Sequence, residues 1–108
     1  MVRDLSRLFR PRSIAVIGGG AWCAQVIEQS RRMGFEGAIW PVHPKARVVA
    51  GVPAFARLED LPDAPDAAFV GINREATVEA VAALSRMGAG GAVCFASGFA
   101  EAQAEDDR

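Results

Sequence analysis

The run Ser13-Ile14-Ala15-Val16-Ile17-Gly18-Gly19-Gly20-Ala21-Trp22 constrains the fold of this chain more than any other stretch. Four consecutive apolar residues read as a strand buried on both faces, which is the signature of a parallel sheet. Three glycines follow, and then a segment of helical spacing. Glycine lets main chain approach a ligand closely, and the N–H groups at the start of a helix favour an anion. The run therefore predicts a strand, a turn suited to phosphate, and a helix.

The remainder repeats this alternation. A helical lead-in is expected over residues 4–9, with Leu5, Leu8 and Phe9 on one face, and Pro11 stops it. Strands are expected at 14–17, 38–42, 67–70 and 92–96. Helices are expected at 21–33, ended by Gly34, and at 74–87, ended by Gly88. The second of these should turn Val78, Val81, Ala82, Leu84 and Met87 inward. Between the second and third strands the pattern is irregular: a brief extension at 48–52, an edge or loop at Pro53-Ala54-Phe55, and one helical turn at Leu58-Glu59-Asp60-Leu61. Apolar strands alternating with amphipathic helices predict an α/β fold. The expected form is a Rossmann-like doubly wound parallel sheet of order 3-2-1-4, in a three-layer αβα arrangement truncated at the C-terminus. The 108 residues suffice for a single domain with one core, and no linker or repeat divides them.

Bulk properties exclude several functions. The formal net charge is -1 and no basic stripe stands out, which argues against nucleic acid and acidic membrane surfaces. The apolar runs are too short to span a bilayer, and no signal-peptide pattern follows Met1, so a cytoplasmic location is the default. Cys23 and Cys94 stand far apart with no Cys or His partner at zinc-site spacing, so both read as reduced thiols and no metal is expected.

Ligands of open α/β sheets bind beyond the C-terminal strand ends. Four loops fall there, at 18–22, 42–45, 71–74 and 96–99. The first begins as a G-x-G dinucleotide fingerprint but has Cys23 where the third glycine or alanine belongs. The second decides between ligands. An NAD site places Asp or Glu after the second strand, whereas this chain has Trp40-Pro41-Val42-His43-Pro44-Lys45. A cation there suits a phosphorylated ribose, as in NADP or in coenzyme A (CoA) with its 3′-phosphate; a solvated loop lysine is the plainer alternative. His43 is the only histidine. It either hydrogen-bonds a ligand or caps loop backbone, and with no orienting carboxylate or nucleophile in view it is not expected to act as a general base. Arg74 either meets a phosphate or is solvated, and Trp22 and Trp40 either stack on an adenine ring, wall the cleft or simply pack between sheet and helix. Ser97 lacks the G-x-S-x-G setting of a nucleophile and is expected to bind rather than attack.

At this point the residues resemble a known family. Leu8-Phe9-Arg10-Pro11-Arg12-Ser13-Ile14-Ala15-Val16-Ile17-Gly18 is similar to the opening of the CoA-binding domain of ADP-forming (NDP-forming) acyl-CoA synthetases, relatives of the succinyl-CoA synthetase alpha subunit. Three further stretches agree in order and spacing: 34–45, then 51–55 with 58–62, then 90–99. The resemblance implies that the four loops bind CoA. Gly18, Gly19, Gly20, Ala21 and Trp22 would meet its phosphates through backbone N–H groups. His43 stands in the second loop, where Pro44 and Lys45 would hold the adenosine end with Lys45 near the 3′-phosphate. Ile72 and Asn73 would line the adenine or pantetheine path, and Ser97, Gly98 and Phe99 would guide the pantetheine. The sequence departs from the family in its shortened glycine loop, which lacks a serine, in His43 where asparagine is common, and in Ile72-Asn73 where Val-Pro is usual.

The resemblance further implies that the chain is the N-terminal, non-catalytic part of a ligase joining a carboxylic acid to CoA. ATP, ADP, Mg and the phosphorylated histidine would belong to further synthetase domains, which would be its partners; its oligomeric state is left open. The competing readings are an NADP-binding domain of an oxidoreductase and a stand-alone regulatory CoA-binding protein.

Overall fold

The computed structural model describes residues 6–18 and 20–94. Along the chain run α1 (Ser6–Phe9), β1 (Ser13–Ile17), α2 (Gly20–Arg32), β2 (Ala38–Val42), β3 (Val48–Val49), β4 (Val52–Pro53), a 3-10 turn (Leu58–Asp60), β5 (Ala67–Val70), α3 (Arg74–Met87) and β6 (Ala92–Cys94). The four longer strands form one parallel sheet in the order β2-β1-β5-β6. β3 and β4 pair as a separate antiparallel hairpin.

The α/β fold and its parallel sheet are as expected, but the strand order is not. An order of 3-2-1-4 would place the strand at 67–70 outside β2. Instead β5 pairs with β1. The outer edge of β2 is already taken, because Phe55 lies beside Val42 as a parallel bridge. The Phe55 N–H donates to the Pro41 carbonyl at 2.8 Å, and the His43 N–H donates to the Phe55 carbonyl at 2.8 Å. The chain reaches that edge for a single bridge, then returns through the 3-10 turn to the free side of β1.

Packing follows from the alternation of side chains along each strand. On one face Val16 meets Cys23 and Ile27 of α2, with the hairpin residues Val49 and Val52 packed alongside. On the other face Ala15, Ile17, Ala68 and Val70 meet Ala80 and Leu84 of α3 and Leu58 and Leu61 around the 3-10 turn. The sheet is thus covered on both sides, as parallel sheets require. α3 starts at Asn73, whose Oδ1 accepts the Ala76 N–H at 2.8 Å, and ends at Gly88, whose N–H returns to the Leu84 and Ser85 carbonyls. Among the described residues no helix is long and apolar enough to cross a membrane.

Candidate functional site

The C-terminal ends of the four sheet strands are level. Ile17 pairs with Val42 on one side and Val70 on the other, and Val70 pairs with Cys94. Backbone bonds then tie the loops that leave this rim. The Gly71 N–H donates to the Ile17 carbonyl at 2.9 Å, and the Gly18 N–H to the Val42 carbonyl at 3.0 Å. With the His43–Phe55 bond, this makes a row of main-chain contacts running from the loop after β5, past β1, to the far edge of β2. After β1 the chain turns into α2 on one face, and after β5 it turns into α3 on the other. The junction of β1 and β5 is therefore the topological switch point, where such sheets hold ligands.

Two glycines close this junction. Gly18 has φ of +127°, and a Cβ there would lie 2.6 Å from the Gly71 carbonyl oxygen. A Cβ on Gly71 would lie 2.8 Å from Cε3 and Cζ3 of Trp22. The glycine turn thus has a tight floor of backbone, walled on the α2 side by the Trp22 indole. Beneath it the buried Cys23 thiol points at the Ile17 carbonyl, 3.9 Å away, and burial pushes its pKa up. That keeps it a neutral thiol, not a nucleophile.

The loop after β2 is ordered by its own histidine. His43 Nδ1 accepts the N–H of Lys45 at 3.0 Å and that of Ala46 at 2.8 Å. The Pro44 and Lys45 side chains are exposed. After β5, Ile72 packs against the α3-side core, Asn73 is engaged as the helix cap, and Arg74 is exposed at the first turn. The Thr77 hydroxyl donates back to the Asn73 carbonyl at 2.8 Å and contacts the Ile72 carbonyl at 3.2 Å, which holds this loop to its helix.

The structure therefore brings Gly18, Gly20, Ala21, Trp22, His43, Pro44, Lys45, Ile72, Asn73 and Arg74 to one rim of the sheet. Gly19, Ser97, Gly98 and Phe99 lie outside the described residues. The sequence places Gly71 only in a rim loop and Phe55 only in an edge or loop segment, and it does not predict their contacts at the site. Gly71 abuts both Gly18 and Trp22, and a glycine directly after an apolar strand was the available signal. Phe55 braces the His43 loop from outside β2, through a long-range pairing that no local pattern announces. Among the described residues no cluster of His, Cys, Asp and Glu could hold a metal ion.

A parallel sheet with a glycine turn at its switch point defines a Rossmann-type binding domain for a phosphate-bearing ligand. Its family is more specific: the chain belongs to the CoA binding domain family, which it matches over residues 12–107. It is 34% identical over 107 residues to a trans-feruloyl-CoA synthase from an unknown prokaryotic organism, covering 95% of this chain and 15% of that protein. It is 32% identical over 104 residues to the ADP-forming acetate–CoA ligase II of Archaeoglobus fulgidus, covering 93% of this chain and 16% of the ligase. The solved apo structure of the dinucleotide forming acetyl-coenzyme A synthetase 1 of Ca. Korarchaeum cryptofilum superposes with a TM-score of 0.79 at 29% identity, over 95% of this chain and 23% of that one. The structure of the same synthetase with phosphate and ADP gives 0.73 at 26% identity, over 82% and 20%. The chain thus spans about 15% of the length of the curated relatives it matches. The family expected from the sequence, that of the CoA-binding domain of ADP-forming acyl-CoA synthetases, is the one found.

Proposed function

We propose that this rim holds CoA for an ADP-forming ligase that joins a carboxylic acid to the CoA thiol. The observation that carries the reading is Lys45. It stands in the loop after β2, where a dinucleotide site built for NAD would place a carboxylate. The residues fit the ligand by their chemistry. The glycine turn at Gly18 offers main chain at the positive end of α2 for the pyrophosphate. Lys45 supplies a cation for the 3′-phosphate, the group that distinguishes CoA from dephospho-CoA. Trp22 and the loop at Ile72, Asn73 and Arg74 flank the path between them. Ser97, Gly98 and Phe99 would guide the pantetheine arm. ATP, ADP and Mg would be handled by other parts of the ligase, so this chain contributes binding and orientation but no catalytic residue.

The test is titration calorimetry of the 108-residue chain with CoA, dephospho-CoA and NADP. CoA should bind more tightly than dephospho-CoA. Lys45→Ala should remove that difference, worth roughly 1.5–3 kcal/mol for one hydrogen bond to a charged group. Binding of NADP without binding of CoA would sink the proposal in favour of an oxidoreductase domain.

A further inference from the structure

The His43 side chain is spent on its own loop. Its Nδ1 receives two main-chain N–H groups, from Lys45 at 3.0 Å and from Ala46 at 2.8 Å. Both donors need the Nδ1 lone pair, so the ring proton sits on Nε2. The main chain of the same residue is held on its other side, where the His43 N–H donates to the Phe55 carbonyl at 2.8 Å. Immediately before it, the Val42 carbonyl accepts from Gly18 at 3.0 Å. Thus Val42 is fixed to the glycine turn, and His43, which leads into the Lys45 loop, is fixed to the Phe55 segment and to the loop's own amides.

Two consequences follow for ligand recognition. The N–H groups of Lys45 and Ala46 face the imidazole, so they do not form an anion-binding nest; the loop offers a phosphate the Lys45 ammonium instead. An exposed lysine on a free loop loses side-chain and backbone entropy when it binds, whereas a capped loop has already lost the backbone share. From this arrangement we propose that His43 is a positioning residue for the 3′-phosphate of CoA. It acts through Nδ1 on the loop that presents Lys45 and does not touch the ligand through that atom. The inference rests on the CoA reading above.

The same geometry names its own control. An asparagine Oδ1 reaches the N–H groups two and three residues ahead, in the manner of an Asx turn, and an alanine cannot. The experiment compares the wild-type chain with His43→Ala and His43→Asn by two measurements. The first is amide hydrogen exchange at Lys45 and Ala46 in the unliganded chain. The second is the affinity ratio of CoA to dephospho-CoA by titration calorimetry. We expect faster exchange at both amides in His43→Ala and restored protection in His43→Asn. The affinity ratio should fall roughly tenfold in His43→Ala, a loss at the lower end for one charged hydrogen bond, and return in His43→Asn. Dephospho-CoA should bind all three chains alike.

A wild-type chain that prefers CoA while His43→Ala keeps the same ratio overturns the positioning role and leaves the CoA reading standing. Failure of His43→Asn to restore the ratio overturns it equally. A wild-type chain that binds CoA and dephospho-CoA alike overturns the Lys45 assignment and the positioning role with it.

Discussion

The six-membered ring of Trp22 lies against the Cα of Gly71, so close that a Cβ there would come within 2.8 Å of two ring carbons. This contact joins the first turn of α2 to the end of β5 across the switch point, and it leaves no room for a side chain at residue 71. Gly71→Ala should therefore displace the indole and cost about 1–3 kcal/mol as an overpacked site. Gly18→Ala should cost more. Its Cβ would meet a backbone oxygen at 2.6 Å, and its φ of +127° is strained for any residue but glycine. Urea unfolding followed by tryptophan fluorescence checks both, and a shifted native emission in Gly71→Ala would report the moved indole. Unchanged emission and stability in Gly71→Ala would contradict the packing.

The two cysteines should separate cleanly by reactivity. Cys23 is 1% exposed beneath the glycine turn, whereas Cys94 is exposed at the end of β6. Thiol attack needs an accessible thiolate, and burial both blocks access to Cys23 and raises its pKa. Reaction with an aromatic disulfide reagent should label one thiol per native chain, and the second only after denaturant is added. Two rapid thiols in the native chain would show that the turn does not cover Cys23.

The boundaries of α3 were legible because they are written in local chemistry: an asparagine cap at Asn73 and a glycine stop at Gly88. Its inward face was legible only in part: Leu84 and Met87, expected inward, do pack in the α3-side core, but the valines do not. Val78 and Val81 were expected in the core, yet they are 68% and 38% exposed, while Ala80 and Leu84 are 8% and 2% exposed. Helical periodicity fixes which residues share a stripe, and α3 carries two apolar stripes. The sheet decides between them: Ala15 and Ala68 lie below, and the Ala80 side lets the helix settle close. The site divides in the same way. The strand ends, the glycine turn and Lys45 could be read along the chain, because each depends on neighbours in sequence. Phe55 against Val42 and Gly71 against Trp22 depend on which strands become neighbours, and there the expected order of strands was wrong.

That choice of stripe is testable by a pair of substitutions on one helix. Val78→Lys should change stability by no more than about 0.5 kcal/mol, as a surface replacement. Leu84→Ala should cost about 2–5 kcal/mol, through lost burial and the cavity it leaves. Denaturant midpoints of the two variants settle the matter, and a severe loss in Val78→Lys would place the valine stripe in the core after all.

At the opposite end of the sheet from the candidate rim, Asp66 staples the N-terminal segment to the fold. Arg7 Nε donates to its Oδ1 at 2.6 Å, the Arg12 N–H donates to its Oδ2 at 2.8 Å, and Arg7 Nη1 reaches the Gly88 carbonyl at 2.8 Å. The Arg7 hydrogen bond, followed by that from Arg12, holds the Asp66 carboxyl below the usual carboxylate range against an opposing effect of desolvation. A carboxylate whose pKa is lower folded than unfolded stabilises the fold in full above the unfolded pKa. That stability disappears as the pH falls through the folded one. The Arg7 side chain is 42% exposed, so solvent screening reduces the pair below the usual worth of a charged hydrogen bond. Asp66→Asn should therefore cost about 1–2 kcal/mol at neutral pH. In urea titrations repeated at successively lower pH, the gap between wild type and Asp66→Asn should close below the ordinary carboxylate range. CoA affinity should be unaltered, since the staple lies at the far end of β5. A gap that persists undiminished into strong acid would show that the carboxylate charge is not what holds α1 in place.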